Sequence, residues 1–261
     1  MPSALNIAQT GLEAQQTRMA VIANNLANVG TTGFKKGRAS FEDLLYETVS
    51  QPGGSTTEST ELPSGLMLGS GVKTVSTEKI FTQGSLIRTD SSLDAAIQGR
   101  GFFQILLPDG STAYTRDGSF SLNSNGQMVT SSGYELTPSI TIPSETISIT
   151  IGNDGTVSIL SAGSTASSQI GNIQLADFIN TQGLQPMGQN LLKETIASGS
   201  PQTSTPGLNG LGTLNQGSLE TSNVNVVEEL VTMIETQRAY EMNAKAIQTV
   251  DEMLQFVAQQ L

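Results

Sequence analysis

The amino-acid sequence predicts an α+β protein: long N- and C-terminal helices forming an α-helical coiled-coil core domain, a central antiparallel β-rich domain, and an extended loop arm. Three observations carry this reading. Twenty-six of the 27 glycines lie between Gly30 and Gly217, and eight of the nine prolines between Pro52 and Pro206, so both ends lack helix breakers over long spans. Those spans carry apolar residues at alternating three- and four-residue spacing, the period of a narrow helical seam. The interior carries short alternating stretches separated by Asp-Gly and Asn-Gly, the strongest short-range hairpin signals.

At the N-terminus the seam is Leu5, Ala8, Leu12, Gln15, Met19, Ile22, Leu26 and Val29, with Gln15 its one clearly polar member. Ser3 is the expected N-cap, and Asn28 and Gly30, which both tolerate the left-handed conformation, supply the stop. The helix then runs for about 25 residues, or roughly 37 Å. The C-terminal helix starts from Asn223 as N-cap, with Glu228 and Glu229 in its first turn, where they complement the helix dipole. Val227, Leu230, Ile234 and Gln237 form one seam. After a slip in phase, Tyr240, Asn243, Ile247, Val250, Leu254, Val257 and Leu261 form a second.

Two such helices are marginal alone, because tertiary burial offsets most of the nucleation cost. Each seam Leu or Ile buried contributes about 1.5–3 kcal/mol. The economical partner for one end is the other, which sets Leu5, Leu12, Met19, Ile22 and Leu26 against Ile234, Ile247, Leu254 and Val257. An ordinary helical subdomain in a monomer is the alternative.

The middle reads as hairpins. Phe102–Leu107 and Thr112–Arg116 flank Pro108-Asp109-Gly110; Asp117-Gly118 follows; Ser119–Leu122 and Gln127–Thr130 flank Asn125-Gly126. A second set places Asn153-Asp154-Gly155 between Thr146–Ile151 and Thr156–Ile159, and Asn172–Phe178 is a further strand. Short strands at this spacing suggest an antiparallel sandwich or barrel. Gln51–Thr60 and Ser198–Gly212 are rich in turn formers and polar residues and read as loops or extended arms. Gln83-Gly84-Ser85-Leu86 recurs as Gln216-Gly217-Ser218-Leu219, which suggests two strands, one entering and one leaving the β-domain.

Composition removes much chemistry. The 261 residues include no Cys, His or Trp, so there is no Ser-His-Asp triad, imidazole or thiolate metal site, or disulfide. A net charge of −11 argues against nucleic acid, whose phosphates need a basic face. Charged residues are only 13%, about half the usual share, which suits an extracellular-type surface. No window holds the ~20 apolar residues of a membrane span, so no membrane insertion is expected. The start lacks the basic, then apolar, pattern of a secretory signal.

Candidate sites are thin. Gly69–Thr74 superficially resembles a phosphate loop, but Val72 breaks the Gly-Lys pair and a strand follows. Ser121, Asn123, Asn125 and Gly126 mimic half a calcium loop, yet Ser132 stands where a bidentate carboxylate is required. Asp90, Asp94, Asp109, Asp117 and Asp154 could supply a carboxylate pair, but most sit at turns, and aromatic sugar platforms are scarce. The reading is no enzyme, no catalytic residue, no cofactor and no metal.

The terminal segments resemble a family. Ile22–Asn28, followed by Thr32-Gly33-Phe34-Lys35, is similar to the N-terminal signature of the bacterial flagellar rod and hook proteins. Ser222–Leu230 and Gln237–Glu241 resemble its C-terminal signature, and Gly99–Phe103 and Tyr114–Phe120 its central strands. Within the family, Phe41–Tyr46, Gln51-Pro52-Gly53, Leu62–Gly65 and Thr205–Gly210 are most similar to the distal rod branch.

The resemblance implies a structural subunit that polymerises helically into the hollow distal rod, transmits torque from motor to hook and serves as export channel. The terminal helices line the tube and the β-domain lies outside. It implies partners: further copies of itself, the proximal rod proteins, the hook protein, the P-ring and L-ring bushing proteins and the flagellar type III export apparatus. It implies a place in the basal body, spanning the periplasm towards the outer membrane, reached without a cleaved signal peptide. The expected organisation is a helical core of 1–35 and 218–261, a linker of 36–82 with an arm over about 46–66, and a β-domain of 83–217.

Expected assembly residues are Leu5, Leu12, Met19, Ile22, Leu26, Val227, Leu230, Ile234, Tyr240, Ile247, Val250, Leu254 and Val257. Asn24, Asn25 and Asn28 are read as inter-subunit or capping groups, with plain helix-end polarity as the alternative. Gly33 and Phe34 turn and anchor the chain. Tyr46, Gln51, Pro52, Gly53, Leu62, Pro63 and Gly65 mark the rod-specific arm, which bridges neighbours in the family. The alternatives are a proximal rod or hook subunit of the same axial family, or a secreted monomeric β-sandwich binding module.

Overall fold

The computed structural model describes residues 2–51, 55–57, 60–61, 64–163 and 166–260. The arm residues Pro52, Gly53, Leu62 and Pro63 lie outside the described residues, as do the side chains of Leu254 and Val257. The chain divides into two compact units: Met1–Leu26, Gly37–Glu78 and Asn225–Leu261 form one, and Ala27–Lys36 with Lys79–Val224 the other.

The first unit holds both long helices. α1 spans Pro2–Ala27, so the helix starts before Ser3, with proline at a first-turn position where its missing N–H costs nothing. Its stop differs from the expected one: neither Asn28 nor Gly30 takes a positive φ, and the left-handed residue is Gly33, at φ 67°. The whole N-terminal seam is buried or half-buried, from Leu5 through Leu26 to Val29. α2 spans Val226–Gln260, and its cap is Asn225 rather than Asn223. The Asn225 Oδ1 accepts from the Val227 N–H at 3.1 Å, the bond that defines an N-cap.

The phase slip expected in α2 is absent. Glu229, Thr232, Met233, Thr236, Ala239, Asn243, Ile247 and Val250 form one continuous buried or half-buried row. Val227, Leu230 and Ile234 therefore stand on the open side, 69%, 43% and 50% exposed, and Tyr240 is exposed with them. They do not pack on α1. The reason is steric and polar: Asn243 closes on Gly11, its Nδ2 3.0 Å from where a Cβ would stand, and Glu229 reaches Asn25. Gly11 and Asn25 are separated on α1 by as many residues as Asn243 and Glu229 on α2, so the helices run antiparallel.

Between the helical segments the chain forms β1 (Gly37–Asp43), β2 (Tyr46–Ser50), β3 (Ser55–Thr57), β4 (Thr60–Glu61), β5 (Leu66–Gly69) and β6 (Val72–Lys79). β1 pairs β6, β2 pairs β5 and β3 pairs β4. The Leu44 N–H to Gly71 carbonyl (2.9 Å) and Ser70 N–H to Leu45 carbonyl (3.1 Å) bonds join the first two ladders into one long ribbon. The stretch expected to be a linker with a loop arm is thus largely stranded. Polar residues at its tip masked the flanks, where Tyr46 faces Gly69 and Thr48 faces Met67 in cross-strand pairs.

The second unit is the antiparallel β-rich body. Its strands are β7 (Leu86–Arg88), β8 (Ala95–Gln98), β9 (Phe102–Leu106), β10 (Thr112–Thr115), β11 (Phe120–Leu122) and β12 (Met128–Thr130). Next come β13 (Glu135–Thr137), β14 (Thr146–Ile151), β15 (Thr156–Ser161), β16 (Ser168–Asn172) and β17 (Leu175–Asp177). The last are β18 (Gln185–Gly188), β19 (Leu191–Lys193), β20 (Gln202–Ser204), β21 (Thr213–Gln216) and β22 (Ser218–Glu220). A nine-stranded sheet runs β11-β12-β13-β9-β10-β19-β18, with β17 joining β9 and β20 to it; β14, β15 and β16 form a second sheet.

Three hairpins stand where the turns place them, β9–β10, β11–β12 and β14–β15. Asp117-Gly118 is different. It links β10 to β11, which do not pair, and Gly118 is needed because a Cβ there would stand 1.7 Å from the Ala95 carbonyl oxygen. Ser198–Gly212, expected as a loop, contributes β20, and Asn172–Phe178 divides between the end of β16 and β17. The Gln-Gly-Ser-Leu echo marks entering and leaving strands that pair with each other: β7 with β22, Leu219 opposite Ile87.

Period-2 alternation gives β9 two buried faces. Phe103, Ile105 and Leu107 enter a core shared with Ile140, Val157, Ile159 and Leu214. Phe102 points the other way, into a cluster with Tyr114, Phe178 and Leu184, where Tyr114 and Phe178 meet edge-to-face at 4.8 Å. Burial, with the Glu194 carboxylate 3.4 Å from its hydroxyl, pushes the Tyr114 pKa up to about 12. An unfolded tyrosine loses its proton near 10, so this stabilisation is complete below pH 10 and lost as pH rises through 12. Relative to Tyr114→Phe, chemical denaturation should show the wild type losing stability over that window, by about 2 kcal/mol at most.

Candidate assembly site

The root of the first unit is built around one amide. Asn25 is buried; its Nδ2 donates to the Gly37 carbonyl at 2.9 Å, and its Oδ1 accepts the Gly37 N–H at 2.8 Å. The side chain thereby imitates a neighbouring β-strand at the start of the ribbon. The same Nδ2 lies 3.3 Å from Glu229 Oε2 in the first turn of α2. One residue fixes α1, ribbon and α2. Farther along, the Val72 N–H donates to Thr10 Oγ1 at 3.4 Å, and Gly71 is a glycine because a Cβ would stand 2.2 Å from that oxygen. The ribbon therefore lies on α1.

The three asparagines separate. Asn25 serves neither a helix cap nor an open surface; Asn24 is exposed; Asn28 accepts from the Thr31 N–H through its carbonyl and faces Thr31 Oγ1 at 3.2 Å. Gln15, the polar seam member, keeps Oε1 buried with no hydrogen-bond partner among the described residues.

In the second unit, Gly33 and Phe34 are buried. The Gly33 N–H donates to the Glu220 carbonyl at 2.8 Å, and the Lys79 ammonium sits 4.6 Å from the Phe34 ring centroid. Beside them lies a group of ionised residues that sequence reasoning missed. Lys35 Nζ stands 2.6 Å from Glu220 Oε1, Arg116 Nη1 3.4 Å from Glu220 Oε2, and all three side chains are almost wholly buried. Burial pushes the Lys35 pKa down; the Glu220 carboxylate opposes that fall and Arg116 adds to it. Nothing local marks these residues as partners, since Lys35 and Glu220 are 185 positions apart.

Two apolar surfaces remain open. On α2, Val226 and Val231 join Val227, Leu230 and Ile234 in one stripe. On the ribbon, Leu45, Tyr46, Val49, Leu66, Met67 and Leu68 are exposed. Gln51 lies outside the strands, as does Gly65. An isolated two-stranded ribbon is at best marginally stable, and its apolar faces gain from cover. Among the described residues there is no cluster of three or more metal-ligating side chains, and no helix long and apolar enough to cross a membrane.

Comparison with known proteins gives this arrangement a setting. Three family models match: "Flagella basal body rod protein" over residues 5–35, "Flagellar hook protein FlgE/F/G D1 domain" over 96–159, and "Flagellar basal body rod FlgEFG protein C-terminal" over 215–261. The chain is 58% identical over 259 residues to the flagellar basal-body rod protein FlgG of Buchnera aphidicola subsp. Schizaphis graminum, covering 99% of this chain and 100% of that one.

The chain belongs to the flagellar basal-body rod protein family.

Two rod proteins of Caulobacter vibrioides refine the position within it. This chain is 48% identical to that bacterium's FlgG over 257 residues, and 34% identical to its FlgF over 263, each alignment covering 98% of both chains. The matched segments also hold the buried group: Lys35 lies in the first, Arg116 in the second and Glu220 in the third. The ribbon of this rod-family chain, residues 37–79, falls outside all three.

Proposed function

We propose that this chain is a subunit of the distal rod, polymerising helically into a hollow tube that transmits torque from the motor to the hook and carries export traffic. Membership of the rod family makes it a structural protein of the flagellar basal body. The observation that carries the assembly reading is the open stripe Val227, Leu230 and Ile234, three large apolar side chains on the outward face of a long helix whose inward row mixes polar and apolar residues. Covering the area each still exposes would stabilise by about 1–2 kcal/mol per residue, available when a second copy covers them. Head-to-tail contacts that do not close a ring build such a filament. Higher identity to FlgG than to FlgF within one bacterium supports the distal position.

In this reading α1 and α2 complete a coiled-coil core between copies, with Leu5, Leu12, Met19, Ile22, Leu26, Ile247, Val250, Leu254 and Val257 in its seams. The ribbon with its Tyr46–Gly65 arm bridges neighbours and stiffens the tube. The subunit leaves by the flagellar type III apparatus without a cleaved signal and spans the periplasm towards the outer membrane. There it meets the proximal rod, the hook, and the P-ring and L-ring bushings.

Ile234→Asp is the decisive variant. The site is half exposed in the single chain, so the monomer should lose only about 1–2 kcal/mol and stay folded. Rods and swimming should nonetheless be lost, and a variant that swims would refute the reading. For the arm, deleting Gln51 to Pro63 should give rods that bend more in electron micrographs; rods of unchanged straightness would remove its bridging role.

A further inference from the structure

The β-rich unit has four chain ends: Ala27 and Lys36 bound its first segment, Lys79 and Val224 its second. Three of these ends, at Lys36, Lys79 and Val224, are laced to one another and to Gly33 inside the unit by a small set of side chains. Asn223 Oδ1 accepts from the Lys36 N–H at 2.7 Å, and its Nδ2 donates to the Ile80 carbonyl at 2.8 Å and to Thr82 Oγ1 at 2.8 Å. The Ile80 N–H donates to the Lys36 carbonyl at 2.9 Å. Glu220 lies at the centre: its Oε1 receives Lys35 Nζ and the Gly84 N–H (2.9 Å), its Oε2 faces Arg116, and its carbonyl takes the Gly33 N–H. Lys35 Nζ also donates to the Thr82 carbonyl at 2.8 Å, Arg116 Nη2 to the Gly99 carbonyl at 2.7 Å, and Asn190 Nδ2 to the Thr32 carbonyl at 3.0 Å.

We propose that Glu220, Lys35, Arg116 and Asn223 form a clasp that holds three ends of the β-rich unit, at Lys36, Lys79 and Val224, together before the subunit joins any assembly. Its mechanical role, which rests on the rod reading, is to be the joint through which turning force enters and leaves this unit. The chemistry suits that task. A water-exposed ion pair is worth little and is readily broken. A buried carboxylate shared by two cations and one backbone N–H is costly to break, because each group released would stay buried without a partner. An apolar contact in the same place would resist pulling without fixing direction, whereas hydrogen bonds and charges fix both distance and angle.

Backbone hydrogen exchange of the full-length, unassembled protein provides the test, and it needs no rod. In Glu220→Gln, exchange at the Gly33, Lys36, Ile80 and Gly84 amides should rise at least about tenfold, while the amides of the β9–β10 hairpin keep wild-type protection. Asn223→Ala, which leaves all charges in place, should raise exchange at Lys36 and Ile80 but not at the hairpin. Unchanged exchange at these four amides in Glu220→Gln overturns the clasp. A uniform rise across the unit in both variants overturns it too, since the group would then be an ordinary stabilising element. The mechanical role is read separately in cells carrying Asn223→Ala. Swimming should fall more steeply with medium viscosity than in wild type, and an unchanged dependence overturns that role while leaving the exchange result standing.

Discussion

Gly33→Ala should destabilise the β-rich unit by about 3–5 kcal/mol and leave cells without rods. Two independent penalties meet at this position. At φ 67° the backbone occupies the left-handed region, which an L side chain enters only with strain. A methyl group built there would stand 2.6 Å from the Asp117 nitrogen and 2.8 Å from the Arg116 carbonyl carbon, and neither atom belongs to a flexible side chain. The chain cannot rotate away from the clash, because the Gly33 N–H is bonded to the Glu220 carbonyl. Denaturant unfolding of purified protein measures the loss, and a change below about 1 kcal/mol would mean that the 27–36 segment docks more loosely than its bonds imply. Gly30→Ala is the control: nothing lies within 4 Å of the new methyl and the φ is ordinary, so stability should hold.

Asn25→Ala should cost about 3 kcal/mol in the helical unit, because it removes both bonds to the Gly37 backbone and the contact with Glu229 at once. Limited proteolysis is the appropriate readout. Cleavage should rise within the ribbon and in the first turns of α2, while the β-rich body stays resistant. Asn25→Asp separates the functions of the amide: it keeps an acceptor for the Gly37 N–H, loses the donor to the Gly37 carbonyl, and places a carboxylate beside that of Glu229. It should therefore be at least as damaging as alanine. Equal resistance of both variants and wild type would show that Gly37 and Glu229 find other partners at no cost.

What was legible in the sequence followed the range of the interaction. The hairpins at Pro108-Asp109-Gly110, Asn125-Gly126 and Asn153-Asp154-Gly155 are decided within a few residues, and the structure has them there. Asp117-Gly118 carries the same dipeptide signal yet joins strands that do not pair, because its glycine serves a close approach to Ala95 from elsewhere in the chain. The ribbon was misread for a related reason. Its ladder is built from flanks brought together across a polar tip, and a strand pairing is not visible in either flank alone. The asparagines show the limit most clearly. A helix-end Asn suggests a cap, and nothing near Asn25 announces a bond to a glutamate 204 positions away.

By itself the sequence determined that two long helices bracket a β-rich middle, and that catalytic chemistry based on histidine or cysteine has no residues to run on. Those properties depend on composition, local turn geometry and period, each written in consecutive residues. Only the tertiary structure decided which face of α2 turns inward, that the arm is rooted in a ribbon, and that Lys35, Arg116 and Glu220 meet. Apolar periodicity records that a face is sheltered from water in the end; it does not record which chain shelters it. On α2 the chain's own contacts choose Glu229, Thr236 and Asn243, and leave Val227, Leu230 and Ile234 open.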